Sequence, residues 1–428
     1  MYRRDPQRSG SIAKAVPAQV AQAWQTKLGG RITPPAVADG RLLVAKTDAH
    51  QVCCLDATDG KLLWSYTAGG RVDSAPTVSK GRVLFGCRDG WVYCLRASDG
   101  ALAWRFRAAP DERRIVSHDQ VESAWPVHGS VIVLDNVVYC SAGRSTFLDG
   151  GIRLCALDAA TGKLLHQAVA EGPLPDITKE KGEPFDMEGS RNDILVSDGT
   201  HLYLYQLVFD RNLKPVEAPR IDNLGSRKVG RHLMATGGFL NDDWWDRNFW
   251  VHSARWPGFY FTNAGPKAGQ ILVFDESAVY GLHVFTRRAR LSPTFTPGTN
   301  GCELFADDID NEPLLAANSV NREKGPGYSR ARPPKWSNQI RVLARAMVLA
   351  GDTLFLAGPP DAVPKDDPYA AFDGRLGATL WAVKAADGTK LTERKLDSPP
   401  ILDGLIAAGG RLYLCDLAGG VTCLAGTR

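Results

Sequence analysis

Trp24, Trp64 and Trp104 stand 40 residues apart, and the text leading to the last two nearly repeats: PPAVADGRLLVAKTDAHQVCCLDATDGKLLW, then SAPTVSKGRVLFGCRDGWVYCLRASDGALAW. Each copy holds four short runs of β-forming residues, broken by turn signals such as Asp59-Gly60, Asp89-Gly90 and Asp99-Gly100. Four strands in some forty residues is the period of a propeller blade. A lone blade leaves both faces bare, so such a unit persists only within a closed ring.

Further copies follow with less fidelity. SAWPVHGSVIVLDNVVYC…GGIRLCALDAATGKLLH ends on His166 where Trp is expected, and NDILVSDGTHLYLYQLVFD begins a fourth. RHLMATGGFLNDDWWDRNFWVHSARW at 231–256 is a fifth, GQILVFDESAVYGLHVF…CELFADD a sixth and RAMVLAGDTLFLAG…GATLWAVKAADGTKLTERKL a seventh. ILDGLIAAGGRLYLCDLAGGVTCLAG, an eighth, lacks its outer strand; AQAWQTKLG, about 20–28, carries Trp24 without three strands before it and supplies the missing one. The expected fold is therefore all-β: one β-propeller domain over 1–428 with eight four-stranded blades, its ends joined in the last blade. Seven is the alternative count, because the insertion-bearing copies at about 189–340 are degenerate. Trp24, Trp64, Trp104 and Trp381 are read as wedges between blades.

Composition removes several functions. A net charge of +4 over 428 residues, with no Lys/Arg block, does not imply nucleic acid or an anionic membrane surface. No apolar run reaches the length of a membrane span, and MYRRDPQRSGSIAKAV has no apolar signal region. Nine Cys is an odd count, and Cys54, Cys94 and Cys423 occupy one repeated strand position, which reads as buried structural thiols.

The pattern V..GRV…DG.VYCLDA.TGK.LW resembles the PQQ-type repeat of quinoprotein alcohol dehydrogenases and of the outer-membrane assembly lipoprotein. YRRDPQRSG, ESAWPVHGSV, RSTFLDGGIRL and GQILVFDESAVYG resemble a planctomycete-type group of such propellers, usually exported. The resemblance implies the fold and a periplasmic or secreted location; it implies little about activity. It does not extend to the quinone. The dehydrogenases hold PQQ under a disulfide of adjacent Cys beside a Ca²⁺, whereas Cys53-Cys54 lies within a repeated strand whose neighbours point to opposite faces. No Cys-x-x-Cys-His haem motif occurs.

Insertions at 107–128, 171–191, 241–267 and 306–340 interrupt the repeat, and loops of a ring converge on its central channel. They and the segments GRSTFLDGG, SRND and 231–256 carry the candidate catalytic residues His232, Arg231, His252, Asp242, His118 and Glu122. Candidate binding residues are Trp244, Trp245, Trp125, Arg114, His128, Arg144, Asp149, Arg191, Asp193 and Asp243. Indole faces stack on sugar rings, Arg forks grip carboxylate or sulfate, and His, Asp and Glu move protons. The expectation is a monomer binding, and in one version cleaving, an anionic or sulfated polysaccharide by lyase or hydrolase chemistry. The alternative is a non-catalytic binding module or assembly scaffold; a quinone-dependent dehydrogenase comes last. No His-x-His or His-Glu-x-x-His spacing supports zinc, although a divalent ion in the channel stays open. For Trp250, core packing and binding are equal readings.

Overall fold

The computed structural model describes residues 1–172, 189–219, 227–243, 248–256, 265–285, 287–289, 292–315 and 328–427. Alternating apolar residues and tight turns build eight antiparallel sheets in chain order, an eight-bladed propeller. Blade 1 is Ala36–Ala38, Arg41–Lys46, Gln51–Asp56 and Leu62–Thr67; blade 2 is Thr77–Ser79, Arg82–Gly86, Trp91–Arg96 and Leu102–Arg107. Blade 3 is Ile132–Leu134, Val137–Ala142, Ile152–Asp158 and Leu164–Ala170; blade 4 is Val196–Ser197, His201–Leu204, Leu207–Asp210 and Pro215–Val216. Blade 5 shows three strands among the described residues, Arg227–Ala235, Trp250–Trp256 and Ala268–Gly269. Blade 6 is Ile271–Phe274, Ala278–His283, Cys302–Asp308 and Trp336–Ile340. Blade 7 is Ala346–Ala350, Thr353–Gly358, Ala378–Lys384 and Lys390–Leu396, and blade 8 is Pro400–Ala408, Arg411–Asp416, Gly420–Gly426 and the early strand Val20–Lys27.

The repeat Trp has a defined job. Trp24 Nε1 donates to Ala57 O (3.2 Å), Trp64 Nε1 to Ala97 O (3.0 Å) and Trp104 Nε1 to Ala159 O (3.2 Å), so each outer strand docks on a turn of the next blade. The indoles lie over Gly60, Gly100 and Gly162, whose φ of +76°, +74° and +72° favours glycine and where a Cβ would stand 2.5–2.6 Å from the ring. Trp381 does not share this role: it sits half-buried on the third strand of blade 7 beneath the Lys390 ammonium, 4.5 Å from the ring. Trp336 on the outer strand of blade 6 takes it, with Nε1 donating to Ala385 O (2.8 Å) and the ring against Gly388. The sequence pattern misses Trp336 because a long insertion parts it from its own blade.

Strand alternation also separates Cys53 from Cys54. Cys54 packs with Trp64 on one face of blade 1, and Cys53 with Trp24 on the other.

An unexpected element fills the middle of the ring. Ser11–Ile12 adds a fifth strand to blade 7, parallel to Ala346–Ala350 on its free edge. The chain before it runs across the centre: Phe274 N of blade 6 donates to Ser9 O (3.0 Å), and Ser197 N of blade 4 donates to Pro6 O (2.8 Å). Tyr2, Arg3 and Arg8 are buried there.

Candidate functional site

Because neighbouring strands are antiparallel, connections alternate between the two ends of the ring. Loops entering a blade's first strand thus share an end with loops joining its second and third strands. For blades 2 and 3 these are 68–76, 87–90, 108–131 and 143–151, which gather most of the charged residues.

The tightest gathering surrounds Arg88. Its guanidinium lies 3.1 Å from Asp73 and 3.5 Å from Glu122, both buried. Asp73 also meets His128 Nδ1 (2.9 Å) and accepts from Gly129 N (2.8 Å). Burial alone would raise the Asp73 pKa, but His128 and Arg88 outweigh it and hold the carboxyl far below the usual range. His128 is shifted the other way: burial opposes its charge, Asp73 prevails, and the imidazole pKa rises. The 2.9 Å contact with Asp73 therefore favours the protonated imidazole. Arg71 completes the group, buried, 3.5 Å from Asp48 but outside hydrogen-bonding geometry, with Nε and Nη1 unpartnered. Glu122 Oε1 is likewise buried and unpartnered.

Asp193 faces this cluster and the chain in the ring centre. It accepts from Ile194 N (2.8 Å) and Phe239 N (3.0 Å), and burial raises its pKa to about 6 against the pull of His128.

These blades belong to a recognised repeat family. The family described as outer membrane protein assembly factor BamB matches residues 8–173 and 88–199. BamB from Moraxella catarrhalis superposes with a TM-score of 0.51 at 14% identity, covering 96% of this chain and 99% of its own. The quinohemoprotein alcohol dehydrogenase from Comamonas testosteroni gives 0.57 at 15% identity, covering 99% and 80% respectively. Over residues 8–199 the chain resembles the BamB-like family of PQQ-type propellers, and the solved structures share its fold. At such identities the solved structures speak for the fold alone, and no curated protein matches in sequence.

In this PQQ-like propeller, the predicted site residues divide among several places. Trp125 is buried, its Nε1 donating to Asp149 O (2.9 Å) and its face covered by Arg113 at 4.6 Å. Asp149 holds Arg113, with Arg144 3.8 Å away, and Arg144 Nε donates to Ala124 O (3.2 Å). These residues brace the insertion to blade 3. Arg114 is exposed on the hairpin Arg114–Ser117/Gln120–Ser123, and His118 lies at its tip with φ of +52°, bonded to Ser117 Oγ (2.9 Å). Arg191 is exposed and bridges to Ser145.

His232 and His252 lie in the interior, away from the loops. His232 stacks on Tyr203 (3.8 Å between centroids), with its ring nitrogens 2.8 Å from Gly230 O and 3.2 Å from Tyr205 O, to one of which the neutral ring donates; burial lowers its pKa to about 4. His252 packs 4.2 Å from Phe274, and burial, with Lys267 nearby, drives its pKa well down. Both imidazoles pack in the interior, where burial favours their neutral form. Arg231 instead joins a separate group, 3.6 Å from Glu312, whose carboxylate accepts from the fully buried Lys267 (2.7 Å) and from Ser253 Oγ (2.5 Å). Asp242 pairs with buried Arg345 (3.2 Å), and Asp243 N donates to Asn241 Oδ1 (3.1 Å). Trp244 and Trp245 lie outside the described residues. Trp250 is fully buried, edge-on to Phe239 and under the Arg3 guanidinium at 4.8 Å, so packing decides between its two readings.

Among the described residues none form a quinone seat. The adjacent cysteines point into two different packing layers, and Arg3 covers Trp250 in the ring centre. Among the described residues no group of three or more His, Cys, Asp or Glu is placed to hold a metal ion, and no helix is long and apolar enough to cross a membrane.

Sequence reading missed Asp73, Arg71 and Arg88. A signal existed: Gly29-Gly30-Arg31 recurs as Gly69-Gly70-Arg71, and Arg88, whose N–H donates to Arg71 O, stands where the preceding copy has Thr47 donating to Arg31 O.

Proposed function

We propose that this propeller is a single-domain, monomeric binding module that captures an acidic carbohydrate at the Arg71–Arg88–Glu122 end of blades 1–3 without cleaving it. One observation carries the reading: beside Arg88, two buried side chains keep unused hydrogen-bonding capacity of opposite kinds, donors on Arg71 and an acceptor on Glu122. Buried polar groups left unmade are costly, so such a pair favours a ligand that supplies both partners. A uronate or sulfated sugar offers an anionic group to Arg71 and a hydroxyl to Glu122. Binding without turnover follows from the state of the candidate bases. His232 and His252 are packed away, and the pairing of His128 with Asp73 favours its protonated form over a free base. The reading places the protein in the periplasm or outside the cell, supported by its likeness to an outer-membrane assembly factor.

Calorimetric titration with polygalacturonate and with a sulfated glycan tests this. Arg71→Gln should weaken binding about tenfold, roughly 1.4 kcal/mol, with the unfolding midpoint unchanged. Unsaturated sugars or new reducing ends in the wild-type mixture would restore catalysis. Equal affinities of wild type and variant, or no binding to either polymer, would sink the site.

A scaffold role is the second reading, and a different feature favours it. Val116 and Val121 pair across the Arg114–Ser123 hairpin with 77% and 56% of their surface exposed. A two-stranded hairpin with free edges and an apolar face suits docking of another protein's strand. Changing both to Thr should then remove partner binding and leave glycan binding intact.

A further inference from the structure

Residues 2–12 behave as a bound peptide. Their contacts reach six blades: Tyr2 N donates to Ser130 Oγ at the entry to blade 3 (3.3 Å), Arg8 Nε to Leu195 O at blade 4 (3.0 Å), and Arg3 lies over Trp250 of blade 5. Arg3 also donates to Leu272 O of blade 6, Ser11–Ile12 extends blade 7, and Asp403 of blade 8 receives both the Tyr2 hydroxyl and the Arg3 guanidinium. The blade 8 strand has a bulge there, and Asp403 adopts φ of +55°, which turns its carboxylate toward the arm. The arm's own backbone is strained to fit: Arg3, Arg4 and Arg8 all have positive φ, of +52°, +79° and +61°. Three such residues in six persist only where the surroundings impose the shape.

We infer that the centre of the propeller is a peptide-binding site for a turn-forming Tyr-Arg segment, read by Asp403 and by strand addition to blade 7, and occupied in cis by the chain's own arm. Charge supports this occupant. The arm carries Arg3, Arg4 and Arg8 against Asp5, and the surrounding wall presents Asp403 and Asp193. Strand addition supplies sequence-independent affinity, and the buried Tyr-Arg pair supplies selectivity. Emptied of its arm, the same site takes the same sequence in trans.

The test uses the full chain and a fluorescent synthetic peptide of residues 1–12. Wild type should not bind the peptide, because its site is filled. Tyr2→Ala/Arg3→Ala, which loosens the arm, should bind it with an affinity at least tenfold above that for a peptide carrying the same two changes. Adding Asp403→Asn to that chain should abolish the preference. A folded Tyr2→Ala/Arg3→Ala chain that ignores the peptide overturns the inference. Hydrogen exchange of wild type decides independently of any variant. Amides held by the arm, such as Leu349 and Phe274, should exchange faster than inner amides of the same blades; exchange only by global unfolding would make the arm plain core and end the proposal.

Discussion

Asp193 shows how much a single side chain can say about the loop-bearing end. Its carboxyl is buried with a pKa of about 6, above the ordinary 3.8, because two backbone donors and the attraction of His128 do not fully replace water. A folded-state pKa raised above the unfolded one means that the folded chain holds this proton more tightly. Stability from this group is therefore complete below about pH 4, declines as pH rises through about 6, and is lost at neutrality. The shift of about 2 units corresponds to roughly 3 kcal/mol. Asp193→Asn keeps an acceptor for Ile194 and Phe239 without the charge, so it should stabilise the protein by on the order of 1–3 kcal/mol at about pH 7.5 and by little at about pH 4. Urea unfolding at both values checks this. An equal effect at the two would mean that the carboxyl is not desolvated as described.

At the scale of elements, the wedge between blades is what the sequence made legible, and its limits are instructive. Trp64 and His166 hold the same place in two copies of the repeat, on the outer strands of blades 1 and 3. Trp64 is buried on the Gly100 turn, with its Nε1 bonded to Ala97 O, whereas His166 is exposed. Trp64→Ala should therefore cost about 3–5 kcal/mol and His166→Ala under about 0.5, measured by denaturant unfolding. Comparable losses would mean that position in the repeat, not burial, sets the energy. Strand number, blade order and the Trp–Gly docking could be read because they rest on short-range spacing that recurs. The charged cluster could not, because Asp73 and Glu122 are 49 positions apart and meet only through the stacking of blades 2 and 3. His232, His252 and Trp250 look functional by residue type, but the stretches that carry them are buried on both faces of the blade. The arm gave one sign, three Arg within residues 3–8 that match no repeat, and spacing alone cannot place such a segment inside a ring.

For the whole molecule, nine cysteines pose a question about compartment that the fold answers. All nine are buried free thiols, spread over the packing layers of the ring. Burial pushes Cys54, Cys94 and Cys302 up to about 12, and Cys87 and Cys415 well above their ordinary value. Thiolate is the reactive form, so a buried, protonated thiol resists oxidants for as long as the blade stays closed. Such thiols survive in an oxidising compartment as well as in a reducing one, and their number does not argue against export. Cys140 and Cys155 are register partners on adjacent strands of blade 3, the pair best placed to be joined if oxidant reaches the chain before folding. A chromogenic thiol reagent should therefore find essentially no reactive group in the native protein over minutes, and all nine after unfolding. Oxidative refolding should remove at most the Cys140–Cys155 pair from that count. Three or more disulfides, or rapid modification of the native chain, would show that the blades do not shelter their cysteines and that the packing described for the ring is wrong.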